Sequence, residues 1–543
     1  MIYEYMYKQK HNGIMCYTFK DTSGKSCTFT SSQIKQLSKT HKFNGIAISS
    51  KDGRLYFPKS IKKDLTIQNK PKSGLSITTG KNLENFANFY GALKKRDIVD
   101  KIGNYLFNSL IPSKTICIIH GLRRTGKTTS IIQSIKILLD YGISSNNICY
   151  IVPSLESSKL TDMNELISTL NKLDQTYIFI DEITFVHNFI EQANYITDIF
   201  MPTHSDKRLV ITGTDSFTFS VAFKTTLLGR AYIINSTWLK YEEYIRIMGR
   251  KGLVESDDAI FKSGILYTEA YNNLENSTKE LNSAVFENVK NTLFRNRVYK
   301  SSIPQSLIDI DNDLLVYLSY SIILKSVEDK SKSTLNRNMP TLNKELEARL
   351  KEYSGLISFN PSLRNVKLKV LYDILSVLIE LNVSYRISNL VNSNSERHIK
   401  AITDTELICM IQSLFYSVKS RKEITDKDKG DLFENFIISQ VIMYNQETNK
   451  FNQLGYGKYQ YNSIEHEIDL LLISHTSNSY AIEIKYSKDT SPEFKRHLID
   501  TSLPLAIERK LIKYIIYRGK TIMGKEVSYI NANDFLLNLD KWL

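Results

Sequence analysis

The chain has 543 residues and a formal net charge of +14, with 42% apolar and 11% aromatic residues. That length implies roughly three or four domains, and that composition is globular, with enough apolar side chains for sizeable cores. No run approaches the roughly 18 uncharged apolar residues of a membrane span, and Met1–Lys8 lacks the basic-then-apolar order of a signal peptide. The five cysteines (Cys16, Cys27, Cys117, Cys149 and Cys409) form no C-x-x-C pair. Their scatter fits a reduced cytoplasm and argues against a cysteine zinc site.

The charge is uneven. Residues 1–114 hold 20 Lys and Arg against 7 Asp and Glu, which is nearly the whole excess. Such a module suits nucleic acid, an acidic protein face, or a solvated basic surface. Within it, Ile14–Lys20 and Cys27–Thr30 read as a hairpin. Ser31 and Ser32 read as caps of a short helix through Lys39, and residues 45–57 as a second hairpin about Lys51-Asp52-Gly53. Residues 1–66 are thus a small β-rich unit, and 67–83, rich in Lys, Pro, Gly, Ser and Thr, a linker. A helix over roughly Glu84–Leu110 leads into the apolar, β-branched run Thr115–Ile119.

After that run comes G-x-x-x-x-G-K-T, from Gly121 through Gly126, Lys127 and Thr128, and then a helix-like run, Ser130–Leu139. Strand, glycine loop and helix in that order are the context of a phosphate cradle. Gly121 and Gly126 allow the tight turn, and the helix N-terminus adds its positive dipole end. Lys127 would reach the β- and γ-phosphates of ATP, and Thr128 would hold Mg²⁺. Arg124, Thr125 and Thr129 complete the loop.

Ile148–Val152 reads as a buried parallel strand, and Tyr177–Ile180 as another that delivers Asp181 and Glu182 at its C-terminal edge. Asp181 is the expected Mg²⁺ ligand and Glu182 the general base for water. A fourth strand, Arg208–Thr212, leads into Gly213-Thr214-Asp215-Ser216, where Thr212 or Thr214 would sense the γ-phosphate or water. Arg230 reads either as an arginine finger reaching a neighbouring subunit's nucleotide or as a structural arginine. His187 and His466 read as surface or core histidines, with no spacing that supports zinc.

Residues 240–390 are mostly helical by pattern, clearest over Tyr271–Phe294 and Leu314–Val327. Val370–Leu381 reads as a helix followed by a strand, Val383–Ile387, an order compatible with a winged helix. Ser388–Arg397 reads as a loop.

From about residue 400 a second chemical signal develops. Gly430 opens a helix with Glu434 near its start, Glu467-Ile468-Asp469 begins a strand, and Tyr480–Lys485 is another. Glu483 and Lys485 alternate onto one strand face, and the spacing from Asp469 suits a hairpin. Asp469 and Glu483 would then meet as Mg²⁺ ligands, with Glu434 joining from its helix and Lys485 stabilising charge beside a phosphate. Glu467 is either an acid supporting those ligands or part of a solvated face.

Gly121-Leu-Arg-Arg-Thr-Gly-Lys-Thr-Thr129, Ile178–Ile183, Ile211–Ser216, Leu228-Gly-Arg230 and Trp238–Tyr244 together resemble prokaryotic AAA-type ATPases related to the archaeal and signalling (STAND) group. Glu434, Asp469 and Glu483-x-Lys485 resemble the PD-(D/E)XK nuclease core that many such ATPases carry C-terminally. The resemblance covers roughly residues 85–543. It implies an α/β fold: an ATPase core with a parallel sheet over 84–245, a helical lid and winged-helix-like middle over 246–399, and a restriction-endonuclease-like α/β domain over 400–543. The implied function is ATP hydrolysis coupled to a nuclease-like domain acting on nucleic acid, DNA before RNA, with ATP and Mg²⁺ as cofactors. A homo-oligomer through the ATPase domain is implied, without a membrane. The competing readings are an ATP-controlled switch or scaffold whose C-terminal domain does not cut, and a regulator that binds DNA through its middle helices.

Overall fold

The computed structural model describes residues 74–249 and 423–543 apart from short breaks (92, 113, 123, 154–160, 215–228, 237, 462–463 and 500–510). It also describes parts of 2–56 and 378–410, and Val285. The helix read over Leu314–Val327, that over Tyr271–Phe294 apart from Val285, most of those read from Ser31 and over Val370–Leu381, and Asp215, Ser216 and Leu228 lie outside the described residues. The chain divides into two compact units, Met1–Thr78 and Thr79–Leu543.

In the first unit, β1 (Ile2–His11), β2 (Ile14–Asp21), β3 (Ser26–Thr30) and β4 (Lys42–Asn44) form one sheet in the order β3-β2-β1-β4. The β2–β3 pairing is antiparallel, the hairpin read from sequence, and β1, unread there, pairs antiparallel with β2 and parallel with β4. The second hairpin is β5 (Ala47–Ile48) with β6 (Leu55–Tyr56). Residues 75–83, read as linker, are instead strand β7 (Leu75–Thr78) and the start of helix α1 (Gly80–Gly91). The Ser and Thr content masked an alternating pair, buried Leu75 and partly exposed Ile77. The single helix read over Glu84–Leu110 is two, because α1 stops at Gly91 and α2 (Ile98–Phe107) starts afresh after Asp97.

In the second unit, β8 (Ile116–His120) leads into helix α3 (Lys127–Asp140), and β9 (Ile148–Pro153) into α4 (Met163–Leu170). Then follow β10 (Tyr177–Ile180), α5 (Phe189–Tyr195), β11 (Arg208–Gly213), β12 (Ala231–Asn235) and α6 (Tyr241–Met248). Five parallel strands lie in the order β12-β8-β11-β10-β9. Their buried β-branched runs need helices on both faces, which short βα connections supply. Ile98, Ile102 and Tyr105 of α2 and Ile131 and Ile135 of α3 pack with Cys117, Tyr150, Phe179 and Val210 of the sheet.

The C-terminal part is a mixed eight-stranded sheet. Its strands are β13 (Ser384–Asn389), β14 (Ile399–Ala401), β15 (Glu406–Met410), β16 (Gln453–Tyr461), β17 (Ile464–Ile473), β18 (Ser479–Lys485), β19 (Leu511–Tyr517) and β20 (Val527–Asn531). β16, β17 and β18 form an antiparallel meander, and β18, β19 and β20 run parallel. Helix α7 (Asp426–Thr448) opens on a capping box between Thr425 and Asp428, and α8 (Ala532–Leu537) and α9 (Leu539–Trp542) close the chain. The strand read as part of a winged helix belongs to this sheet: β13 pairs parallel with β16 and antiparallel with β15. Helix-then-strand order does not specify a partner, and the pairing decides it.

The two halves of the second unit share one core. Leu122, Trp238, Tyr241 and Tyr244 of the N-terminal half of this unit cluster with Phe433, Phe436, Ile482 and Trp542 of the C-terminal half. Tyr241 meets Phe436 edge-on with ring centroids 5.9 Å apart, and its backbone N–H donates to Gln440 Oε1 at 2.7 Å. Truncating a buried phenylalanine removes transfer energy and leaves a cavity. Phe436→Ala is therefore expected to destabilise the chain by about 3–5 kcal/mol. A denaturant titration should show both halves unfolding earlier and together; a shift confined to the C-terminal half would mean that the core is not shared. No described helix is long and apolar enough to cross a membrane.

Candidate active site

Parallel pairing places the C-terminal ends of β8, β11 and β10 side by side, with β11 between the loop strand and the acidic strand. The loop leaves β8 at Gly121, whose φ is +142°, and enters α3 at Gly126, whose φ is +87°. A Cβ on Gly121 would lie 2.2 Å from the Ser236 carbonyl oxygen, so the chain just past β12 itself requires glycine there. Arg124 is exposed with φ +68°, Thr125 is fully buried, and Thr128 and Thr129 are half-buried in the first turn of α3. Lys127 is 4% exposed, and its Nζ donates to the carbonyls of Gly121 at 2.9 Å and Leu122 at 2.7 Å. Its ammonium thus lies within the curve of the loop. Burial first, then the Lys127 charge, pushes His120 down to about 4, so that imidazole is neutral at pH 7.

Asp181, at the end of β10, is 4% exposed and held by three hydroxyls. Thr128 donates to its Oδ2 at 2.7 Å, Tyr150 to the same oxygen at 2.9 Å, and Thr212 to Oδ1 at 2.5 Å. Burial and the Asp181 carboxylate in turn drive the Tyr150 phenol up. Thr128 and Asp181, the two residues expected to hold Mg²⁺, are therefore in contact, and a divalent cation fits between donors of that type.

Glu182 adopts left-handed backbone angles, φ 59° and ψ 48°, which are uncommon and costly for a residue with a Cβ. Its N–H donates to Thr212 Oγ1 at 2.9 Å, and its Oε2 accepts from Thr214 at 3.1 Å. Although Glu182 immediately precedes the short helical turn Ile183–Phe185, it makes no side-chain cap bond. Thr212 thus fixes Asp181 and the Glu182 backbone, and Thr214 fixes the Glu182 carboxylate. Arg230 pairs with Asp198 of its own chain.

Sequence reasoning missed two contributors. Tyr150 lies in an apolar strand and reads as core, and only the β9–β10 pairing brings its hydroxyl to Asp181. Arg96, in a basic stretch that suits a partner or a solvated surface, is buried against the loop: it donates to the Thr125 carbonyl and pairs with Glu243.

In the C-terminal half, β17 and β18 pair antiparallel with Leu470 opposite Ile482, which brings Asp469 next to Glu483. Asp469 Oδ2 accepts the Ile484 N–H at 2.6 Å and lies 3.3 Å from Lys485 Nζ. Lys485 also reaches Glu483 Oε2 at 2.5 Å, whereas Glu483 Oε1 is buried with no hydrogen-bond partner among the described residues. Burial, then the Asp469 charge, pushes Glu483 up to about 9, against the pull of Lys485. Glu434, half-buried on α7, is held well above the carboxylate range by burial and by Asp469. Burial would lower Lys485, but Asp469 and Glu483 outweigh it and hold it up. Negative charge is thus crowded here, and Lys485 is the cation that answers it. Among the described residues no group of three His, Cys, Asp or Glu is arranged to hold a metal ion. Asp469 and Glu483 remain a two-carboxylate pair, which is the number Mg²⁺ commonly uses while keeping waters. Glu467 lies 3.6 Å from Lys458 on a half-exposed face, and buried His466 stacks on Tyr459 at 5.1 Å.

A family model described as an AAA domain (AAA_14) matches residues 113–245, and a domain of unknown function (DUF4143) matches 429–535. No curated protein matches the chain. Among solved structures, the Walker-type ATPase PABY2304 of Pyrococcus abyssi is 14% identical over 60% of this chain and 95% of its own, with a TM-score of 0.30. The Thermotoga maritima RuvB Holliday junction branch migration motor is 17% identical over 55% of this chain and 95% of its own, at 0.24. The S. cerevisiae Hsp104:casein complex in its extended conformation is 15% identical over 50% of this chain, at 0.25, and the chain spans 52% of that protein's length. With a glycine loop opening α3 and an Asp-Glu pair ending β10, the stretch matched over residues 113–245 is an AAA-type P-loop ATPase domain.

Proposed function

We propose that the chain binds ATP with Mg²⁺, hydrolyses the γ-phosphoryl bond, and uses that cycle to drive or switch a nuclease-like C-terminal module directed at nucleic acid, with DNA the first candidate. The single observation that carries hydrolysis is the convergence of Lys127, Thr128, Asp181 and Glu182 at one sheet edge, with Asp181 and Glu182 both fixed by threonines. Mg²⁺ at this site would supply positive charge beside the phosphate oxygens. Thr128 and Asp181 would hold it, Lys127 would face the phosphate oxygens, and Glu182 would take the proton of the attacking water. Thr214 would keep Glu182 aimed. Oligomerisation through the ATPase domain belongs to the same reading, although Arg230 would have to leave Asp198 to act on a neighbour.

The nuclease-like part is supported by the order of helix, antiparallel meander and parallel strand, and by Asp469, Glu483 and Lys485 on adjoining strands. Asp469 and the unbonded Glu483 Oε1 would hold a divalent cation, and Lys485 would meet the phosphate. A second reading, binding without cleavage, is favoured by Lys485 lying on both acids. The deciding experiment incubates the full chain with Mg²⁺, ATP and labelled duplex DNA, single-stranded DNA and RNA. Cleavage is expected, and Asp469→Ala should reduce it by about a hundredfold or more. ATP turnover with no cut in any substrate selects the second reading.

A further inference from the structure

Arg96 lies outside every motif read from the sequence, yet it is among the most buried charges described, 2% exposed, and its partner Glu243 is 3% exposed. Its guanidinium makes four hydrogen bonds. Nε and Nη2 donate to Glu243 Oε1 and Oε2 at 3.1 and 3.3 Å, and Nη1 donates to the Thr125 carbonyl and to Ser236 Oγ at 3.3 Å. Thr125 Oγ1 adds bonds of 2.9 Å to the Leu122 carbonyl and to Ser236 Oγ. The next carbonyl, that of Gly126, accepts from Ser130 N and Oγ at 2.8 and 2.9 Å. The Thr125–Gly126 peptide is therefore held through its own carbonyl, and the Gly126–Lys127 peptide that follows through the carbonyl of Gly126. Because a trans peptide points its N–H opposite to its C=O, fixing the Thr125 oxygen on Arg96 turns the Gly126 N–H away from Arg96.

Glu243 belongs to α6, the helix whose Tyr241 is seated on Phe436 and Gln440 of α7. The same carboxylate accepts the Asp97 N–H at 2.8 Å, so the start of α2 is tied in as well. At the far end of α7, Glu447 is gripped by Lys101 of α2 at 2.9 Å and by Lys240 at 2.8 Å. Helix α7 also carries Glu434, which feels the charges of Asp469 and Lys485. One continuous set of buried contacts thus runs from the phosphate loop through Arg96, Glu243 and α6 to the helix that bears Glu434.

We propose that Arg96 is a positioning residue of the phosphate loop, and that its pair with Glu243 transmits the state of the loop to the C-terminal site through α6 and α7. Arginine suits this role because its planar fork spans a carboxylate and a carbonyl at once, which a lysine ammonium does not. The inference rests on the reading of the loop as an ATP site.

The test compares the full-length wild type, Arg96→Lys, and a double variant, Arg96→Met with Glu243→Met. The double variant avoids the unpaired buried charge that a single truncation would leave. Thermal midpoints report folding, and steady-state turnover gives kcat and KM. Hydrogen exchange is followed over residues 241–248 and 426–448 with and without Mg²⁺ and ATP. In the wild type, ATP is expected to slow exchange in both helices. In both variants kcat is expected to fall about tenfold or more, and the ATP-dependent protection of 426–448 to disappear while the helices stay folded. A merely structural Arg96 would lower the thermal midpoint and leave that protection in place. Protection of 426–448 retained in Arg96→Lys, or absent from a wild type that binds ATP, overturns the proposal while the ATPase reading stands. A wild type that binds no ATP overturns both.

Discussion

Lys127→Ala is expected to lower ATP turnover by on the order of a hundredfold or more. Two physical effects act together. The ammonium is 4% exposed, and on the proposed reading it would face the transferring phosphoryl group, where a charge in a desolvated site counts for far more than in water. It also bonds the carbonyls of Gly121 and Leu122, so alanine releases the curve of the loop as well as removing its cation. The measurement is steady-state turnover with saturating Mg²⁺ and ATP, beside nucleotide affinity and the thermal midpoint. The midpoint should move little, because the charged end of Lys127 bonds the loop and not the sheet. Unchanged turnover would remove the phosphate loop from the mechanism.

Glu182→Gln is expected to separate binding from hydrolysis. Glutamine keeps the shape and can still accept from Thr214 at the position where Glu182 Oε2 now does so, at 3.1 Å. It cannot take a proton. Turnover should therefore fall by about 10²- to 10⁴-fold, the usual worth of a general base, with nucleotide affinity held within a few-fold. The left-handed backbone at Glu182 is fixed by its own N–H to Thr212, which the substitution leaves intact. Hydrolysis at the wild-type rate would place the base elsewhere. Lost affinity together with lost turnover would mean that Glu182 shapes the nucleotide pocket instead of acting on water.

The two experiments probe residues that differ in how far the linear sequence exposes them. Lys127 stands in a spacing that few sequences other than phosphate loops satisfy, because the loop needs glycine where φ is positive and a cation at the helix start. Glu182 is legible for a related reason: an apolar strand must end where its acids begin, and in a parallel sheet that end is the ligand edge. The hairpin carrying Asp469 and Glu483 is legible as well, since strand periodicity and the turn between the strands fix its register.

What the sequence by itself determined is thus the set of local devices: the loop Gly121–Thr128, the strand delivering Asp181 and Glu182, and the hairpin of Asp469, Glu483 and Lys485. Each is a short-range pattern whose periodicity and turn chemistry are written in neighbouring residues. The tertiary structure decided which strands pair and which buried charges meet. Tyr150 reaches Asp181 because β9 lies beside β10. β13 joins the C-terminal sheet by pairing with β15 and β16. Lys485 reaches both Asp469 and Glu483. Arg96 meets Glu243 across 147 positions of chain. Contacts at that separation are set by packing and by the cost of leaving a charge buried alone, and neither quantity is visible in the spacing of residues along the chain.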